Sequence, residues 1–188
     1  MPSRTEFKLE EARFFLKHVE HHWRNVPEID FYLSAFVSAA RSVTWIMKAE
    51  FGKTDGWSTW YESKKPDESV RALLKSMTDV RNRAMKERPV RTQATAKVSI
   101  PPEAITPEVI AFLNSGASGQ VQLEALDATN TRFLLKQGGR VLTSVTLEHA
   151  SHALPEFGNR DSKDVCCEYL VELEALVNEC ISLFQPEP

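Results

Sequence analysis

The sequence predicts an α+β protein: mainly a helical bundle, with a small inserted antiparallel sheet and a C-terminal helix that packs back on the bundle. Three observations carry that expectation. Apolar residues recur three and four apart from about residue 5 to 88, which is the helical period. From about 91 the period shortens to two, in short runs bounded by turn residues. Over 161–184 the helical period returns. The organisation expected is one compact domain, with a bundle over 1–90, a β-rich insertion over 91–160 and a final helix in 161–188 that completes the bundle.

Each element has its own signal. Leu9, Ala12, Leu16, Val19, Trp23 and Val26 form the apolar stripe of a first helix. A second follows Pro27, a residue suited to a helix start, and carries Leu33, Phe36, Val37, Ala40, Val43 and Met47 before stopping at Gly52. On it Ser34, Ser38 and Ser42 stand four apart, a small-residue row that lets another helix approach closely. Trp57, Trp60 and Tyr61 read as a short helix capping the bundle. A further helix begins near Pro66, runs through Val70, Leu73, Leu74 and Met77, and ends before Pro89. Ala96, Val98 and Ile100 alternate, as do Val121, Leu123 and Ala125. Residues 133–136 and 140–147 flank Gln137-Gly138-Gly139, whose glycine pair signals a hairpin. A brief helix is expected over Pro107–Asn114. The last helix carries Cys166, Tyr169, Leu173, Leu176, Val177, Cys180 and Phe184.

Of the 188 residues, 42% are apolar and 26% charged, enough for a real core and too apolar for disorder. A net charge of −3 predicts no bulk attraction to nucleic acid. The first residues are too charged for a signal peptide. The longest apolar stretch, 31–47, holds Ser34, Ser38, Arg41, Ser42 and Thr44, and is too short and too polar to span a bilayer. A cytoplasmic protein with no membrane contact is expected. Cys166 and Cys180 fall about 21 Å apart along one helix, beyond disulfide reach. Both lie on its apolar stripe, and with Cys167 they read as reduced cysteines.

Charge is unevenly placed. Residues 64–97 hold ten basic and four acidic side chains inside an otherwise acidic protein. Such a stretch either guides a phosphate backbone or forms a solvated face bridged to the acidic last helix. Arg81 stands out, because Leu73 or Leu74, Met77, Arg81 and Ala84 or Met85 fall three or four apart, which puts Arg81 on the buried side of its helix. A buried guanidinium must be paired or face a cavity or interface. Asn82 follows at once, and Lys86 comes five residues after Arg81.

The run Asp79-Val80-Arg81-Asn82-Arg83-Ala84-Met85-Lys86, late in the last bundle helix after two long amphipathic helices, resembles the HEPN family of small helical bundles. The resemblance covers residues 5–90. It implies an Arg followed by a polar residue, with a His five residues on, lining a cleft between two subunits. In such members the His acts as acid and base, and the Arg stabilises the phosphorane formed when a ribose 2′-hydroxyl attacks the adjacent phosphate. Here position 86 is Lys, a poor base at neutral pH. The implied protein is therefore a divergent, non-catalytic homodimer that binds RNA, a nucleotide or a protein partner through Arg81, Asn82 and Lys86, without a cofactor. Two rivals stand beside it. One is a toxin-like, metal-independent ribonuclease using Arg81 with Lys86, or with His18 or His22. The other is a structural interaction protein in which Arg81 is an internal strut.

His18 and His22 have zinc-ligand spacing on one helix, but no marked third ligand accompanies them; His149 and His152 are the nearest candidates in kind. No metal site is expected. Glycine-rich phosphate loops, a Gly-x-Ser-x-Gly elbow and a Cys-x-x-Cys pair are all missing from the sequence. Gly116 and Gly119 lie in a turn sequence. Trp57, Trp60 and Tyr61 suit base stacking in principle, though aromatic residues between bundle helices are usually core.

Overall fold

A computed structural model describes residues 2–87, 89–115, 121–126 and 131–184. Six helices and four strands are present among them: α1 (Arg4–His21), α2 (Glu28–Phe51), α3 (Trp57–Ser63), α4 (Glu68–Lys86), β1 (Gln93–Ser99), α5 (Pro107–Asn114), β2 (Val121–Ala125), β3 (Arg132–Gln137), β4 (Arg140–Ala153) and α6 (Ser162–Phe184). The chain is α+β, as its periods indicate. It divides into two compact units, one formed by residues up to Gln93 and from His152 onward, the other by Ala94–Ser151. Gly116 and Gly119 lie outside the described residues.

The first unit is the bundle. α1 buries Leu9, Ala12, Leu16 and Val19 against α2, whose Leu33, Phe36, Val37, Ala40, Val43 and Met47 fill the centre. α6 returns to this core with Cys166, Tyr169, Leu173, Val177 and Cys180 and touches α1, α2 and α4. The stripe of α1 is shorter than its spacing suggests. The helix ends at His21, so Trp23 is only half-buried and Val26 is 59% exposed in the turn that follows.

Both long hairpin helices run antiparallel, and their ends show how. At the start of α1, Ser3 and Glu6 form a reciprocal capping box. The next two amides are met from α2: Glu50 accepts from Arg4 N–H (3.0 Å), Thr5 N–H (2.8 Å) and the Thr5 hydroxyl (2.7 Å). A carboxylate at a helix N-terminus also complements the helix dipole. Near the other end, His18 of α1 stacks on Tyr32 of α2 at 4.8 Å. α4 opens on Asp67, which accepts from Val70 N–H at 2.9 Å.

In the second unit the sheet order is β1-β4-β3-β2. β2 pairs antiparallel with β3, and β3 with β4, with Gln137 opposite Arg140 across the turn. Gly138 and Gly139 take φ of 56° and 81°, the left-handed values that a two-residue hairpin requires. Phe112 of α5 packs with Leu135 and Val145, supported by Val98, Ile100, Phe133 and Leu142. β4 runs on to Ala153, well beyond the alternation visible up to 147.

Replacing Glu50 with Ala strips three hydrogen bonds from the start of α1. The expected loss is about 1–2 kcal/mol in urea unfolding, with the folded circular dichroism unchanged. A loss below about 0.3 kcal/mol would show that water replaces the carboxylate without penalty.

Candidate functional site

Arg81, Asn82 and Lys86 lie at the C-terminal end of α4. Arg81 is exposed, which corrects the expectation that it sits on the buried side. The covered line on α4 runs through Met77, Val80 and Ala84, facing α2, α6 and the 3-10 turn Pro155–Phe157. Val80 and Arg81 lie three and four residues after Met77, and periodicity alone does not choose between them. Lys86 is exposed too, while Asn82 is half-buried. Among the described residues, no hydrogen bond or ion pair ties Arg81 or Lys86 to a histidine or a carboxylate.

The internal strut is a neighbour. Arg83 donates from Nη2 to Glu156 Oε2 (2.8 Å) and holds its Nε 2.5 Å from Glu156 Oε1 as an ion pair, with side chains only 12% and 15% exposed. This charge-assisted hydrogen bond ties the end of α4 to the turn before α6. Several other charges of the basic stretch find local or distant partners. Arg71 pairs with Glu68 and Lys75 with Asp79 along α4 itself. Lys64 reaches Glu179 on α6 at 2.5 Å, and Lys97 meets Glu148 at 3.1 Å. Arg91 is exposed, and Arg88 lies outside the described residues. Around α4's end, among the described residues, Arg81, Lys86 and Arg91 are left without ion pairs, beside the equally unpaired Glu87.

His18 and His22 stand with ring centroids 5.7 Å apart in a stack, and His22 Nδ1 lies 3.0 Å from the His18 carbonyl. No group of three or more metal-binding side chains gathers anywhere among the described residues. His152 is engaged elsewhere. Trp57 is buried and lies nearly parallel to Tyr61 at 4.7 Å, while the Trp60 indole N–H donates to Glu179 at 2.9 Å, so this trio belongs to the bundle's packing. The three cysteines are free thiols; burial is the first cause pushing each above the ordinary thiol value, furthest for Cys166. No described helix is long and apolar enough to cross a membrane.

A polar node that the sequence reading missed sits where the chain leaves and re-joins the bundle. Asp30, on the first turn of α2, is 7% exposed and accepts from Thr92 N–H (3.0 Å) and from the Thr92 hydroxyl (2.8 Å). His152 Nδ1 lies 3.1 Å from the same hydroxyl oxygen. Because the carboxylate only accepts, the Thr92 hydroxyl proton goes to it. The His152 N–H donates to Asp161 Oδ2 (3.1 Å), and Asp161 Oδ1 takes Lys163 N–H (2.8 Å) at the start of α6. Burial lowers the pKa of His152, against the raising effects of the Trp23 carbonyl and of the Asp161 and Asp30 carboxylates. The available signal was a lone Asp among apolar residues at the start of the second helix.

Also within the bundle, α4 and α6 leave a groove of about 560 Å3 with an apolar floor of Val70, Leu73 and Phe157. It starts at the opposite end of α4 from Arg81, lined by Ser69 and Ser76.

A folded-state pKa below the ordinary histidine value means that the unfolded chain binds the extra proton more readily. This stability is present in full above about pH 6.5 and is lost as the pH falls through the folded value. Thermal unfolding of the parent is expected to weaken between pH 7.5 and 5.5, and the slope against pH should flatten in His152→Gln. An identical slope in both would remove His152 from the linkage.

Compared with protein-family models, curated proteins and solved structures, the chain finds no match.

Proposed function

We propose that this chain is a divergent, non-catalytic HEPN-like protein that binds RNA as a homodimeric regulator, through Arg81, Asn82 and Lys86. The observation that supports it is the pair of exposed cations at the end of α4, left without ion pairs where the neighbouring Arg83, Lys75 and Arg71 all have one. Phosphate is the natural counter-ion for such groups, and an uncommitted Arg or Lys gives up less hydration and fewer existing bonds to reach it.

Placement on the helix favours a polymer over a single nucleotide. Residues five apart are turned by about 140°, so Arg81 and Lys86 do not converge on one phosphate. Asn82 shares the side of Lys86, and Met85 that of Arg81. Two cations facing different ways suit successive phosphates of a strand passing over the helix end. Turnover is disfavoured because neither cation contacts an imidazole or carboxylate that could move the 2′-hydroxyl proton. The strut role, the premise of the purely structural reading, falls to Arg83.

The test is a mixed RNA pool titrated with the parent, Arg81→Ala and Lys86→Ala in EDTA at several salt concentrations. The parent should bind without cutting, and each variant should bind more weakly, with the slope of log K against log salt reduced by about one. RNA cut by the parent and spared by Arg81→Ala, leaving cyclic phosphate ends, would replace this reading with the ribonuclease. Equal affinity of parent and variants would remove α4's end from the interface.

A further inference from the structure

Arg41 is a half-buried guanidinium in the middle of α2, and among the described residues no carboxylate meets it. Its one hydrogen bond there runs from Nη1 to the Tyr169 hydroxyl of α6, at 3.4 Å. A guanidinium cannot shed its charge, so the water it loses has to be replaced by an anion or by acceptors. A phenol oxygen at that distance answers one N–H of five. The nearby carboxylates are engaged or turned elsewhere. On α2 the nearest is Glu50, about 13 Å further along the axis, where it holds the start of α1. Asp30 is taken by Thr92. On α6, Glu168 pairs with Arg160, and Glu172 lines the groove toward α4 without an ion pair among the described residues.

The other side of the contact also has protons to give. Tyr169 is fully buried and its oxygen takes the Arg41 N–H, so its own hydroxyl proton has no acceptor among the described residues. A buried O–H without a partner is disfavoured. Burial is the first cause pushing this phenol above the ordinary tyrosine value; the Arg41 hydrogen bond and charge oppose it, and Tyr61 of α3 adds to the rise through its charge. Tyr61 is half-buried, and its hydroxyl too has no hydrogen-bond partner among the described residues. Two phenol O–H groups and a guanidinium fork, with no negative group between them, form a cluster with more donors than acceptors.

We propose that Arg41, Tyr169 and Tyr61 form an oxyanion site on the bundle, which takes the terminal phosphate of a small phosphomonoester. Charge-assisted bonds from a guanidinium are the strongest contacts such a group can gain, and partial burial of the donors strengthens them. Three donating side chains match the three free oxygens of a monoester, whereas a diester offers two. The site lies on α2, α3 and α6 and does not rest on the reading of α4's end as an RNA contact. No RNA enters its test, so the two fail separately.

Inorganic phosphate, methyl phosphate and dimethyl phosphate, each titrated into the full chain against chloride at matched ionic strength, test it. The readouts are the melting temperature and the near-ultraviolet circular dichroism, to which Trp57, stacked on Tyr61 at 4.7 Å, contributes. Phosphate and methyl phosphate should raise the melting temperature and change the aromatic signal saturably; dimethyl phosphate should do neither. Arg41→Gln should weaken phosphate binding about tenfold or more. Tyr61→Phe, which removes one oxygen and keeps the stack, should weaken it about threefold. Arg41→Lys keeps the charge but loses the fork and should recover only part of the affinity. A parent with no saturable response up to about 50 mM phosphate overturns the site. So does a response that Arg41→Gln and Tyr61→Phe, both folded by far-ultraviolet circular dichroism, leave unchanged. Equal responses to methyl and dimethyl phosphate overturn the monoester assignment.

Discussion

Burying a carboxylate is tolerable only when its lost water is replaced, and at Asp30 a single residue, Thr92, supplies both replacements. That requirement organises much of the bundle. Thr92 is the second-last residue before the chain leaves the first unit, and His152, bonded to the same hydroxyl, is the first to return. The backbone of His152 is in turn held by Asp161, which caps the start of α6. One connected set of hydrogen bonds within the first unit thus joins the start of α2, Thr92, His152 and the start of α6. Removing one member strands the others in low dielectric, which is why such networks act as units.

Around this node the bundle relies on ordinary apolar burial, steered by a few polar stitches at helix ends. Glu50 closes the start of α1. Its burial would raise its pKa, but three hydrogen bonds from Thr5 and Arg4, with the Arg4 charge, leave it lowered. Arg83 and Glu156 hold the other end of α4 in the same manner. These contacts join segments distant in sequence and add specificity to a core that Leu, Val, Phe and Cys side chains fill. The surface that is left over is informative for the same reason. Charges on α4 that could find protein partners have done so, leaving Arg81 and Lys86, and the aromatic residues of α2 that no neighbouring helix covers are Phe31 and Trp45.

Much of the architecture was legible because it follows from period and punctuation. The stripes of α1, α2 and α6 and the Gly138-Gly139 hairpin are local facts, and local reading finds them. Two kinds of error arose where tertiary contact decides. Val80 and Arg81 are equally good continuations from Met77, and only the position of α2, α6 and the 155–157 turn selects Val80. Trp23 and Val26 continue a helical stripe past the point where α1 actually ends. The node at Asp30, Thr92, His152 and Asp161 was out of reach altogether, because its members are 62, 60 and 9 residues apart and no short motif links them. In the sequence alone, His152 stands out only as a candidate metal ligand beside His149.

The most direct test of the account is native-state hydrogen exchange at two backbone amides, Thr92 N–H and His152 N–H. Both sit at junctions where a strand meets the bundle, and each donates to a carboxylate in the node. If the node closes the bundle, both should exchange only through global unfolding, as slowly as the amides of Val37 and Ala40 in the centre of α2. Exchange at the rate of an exposed loop, with the α2 amides still protected, would show that the node opens freely and that apolar packing alone holds the bundle shut.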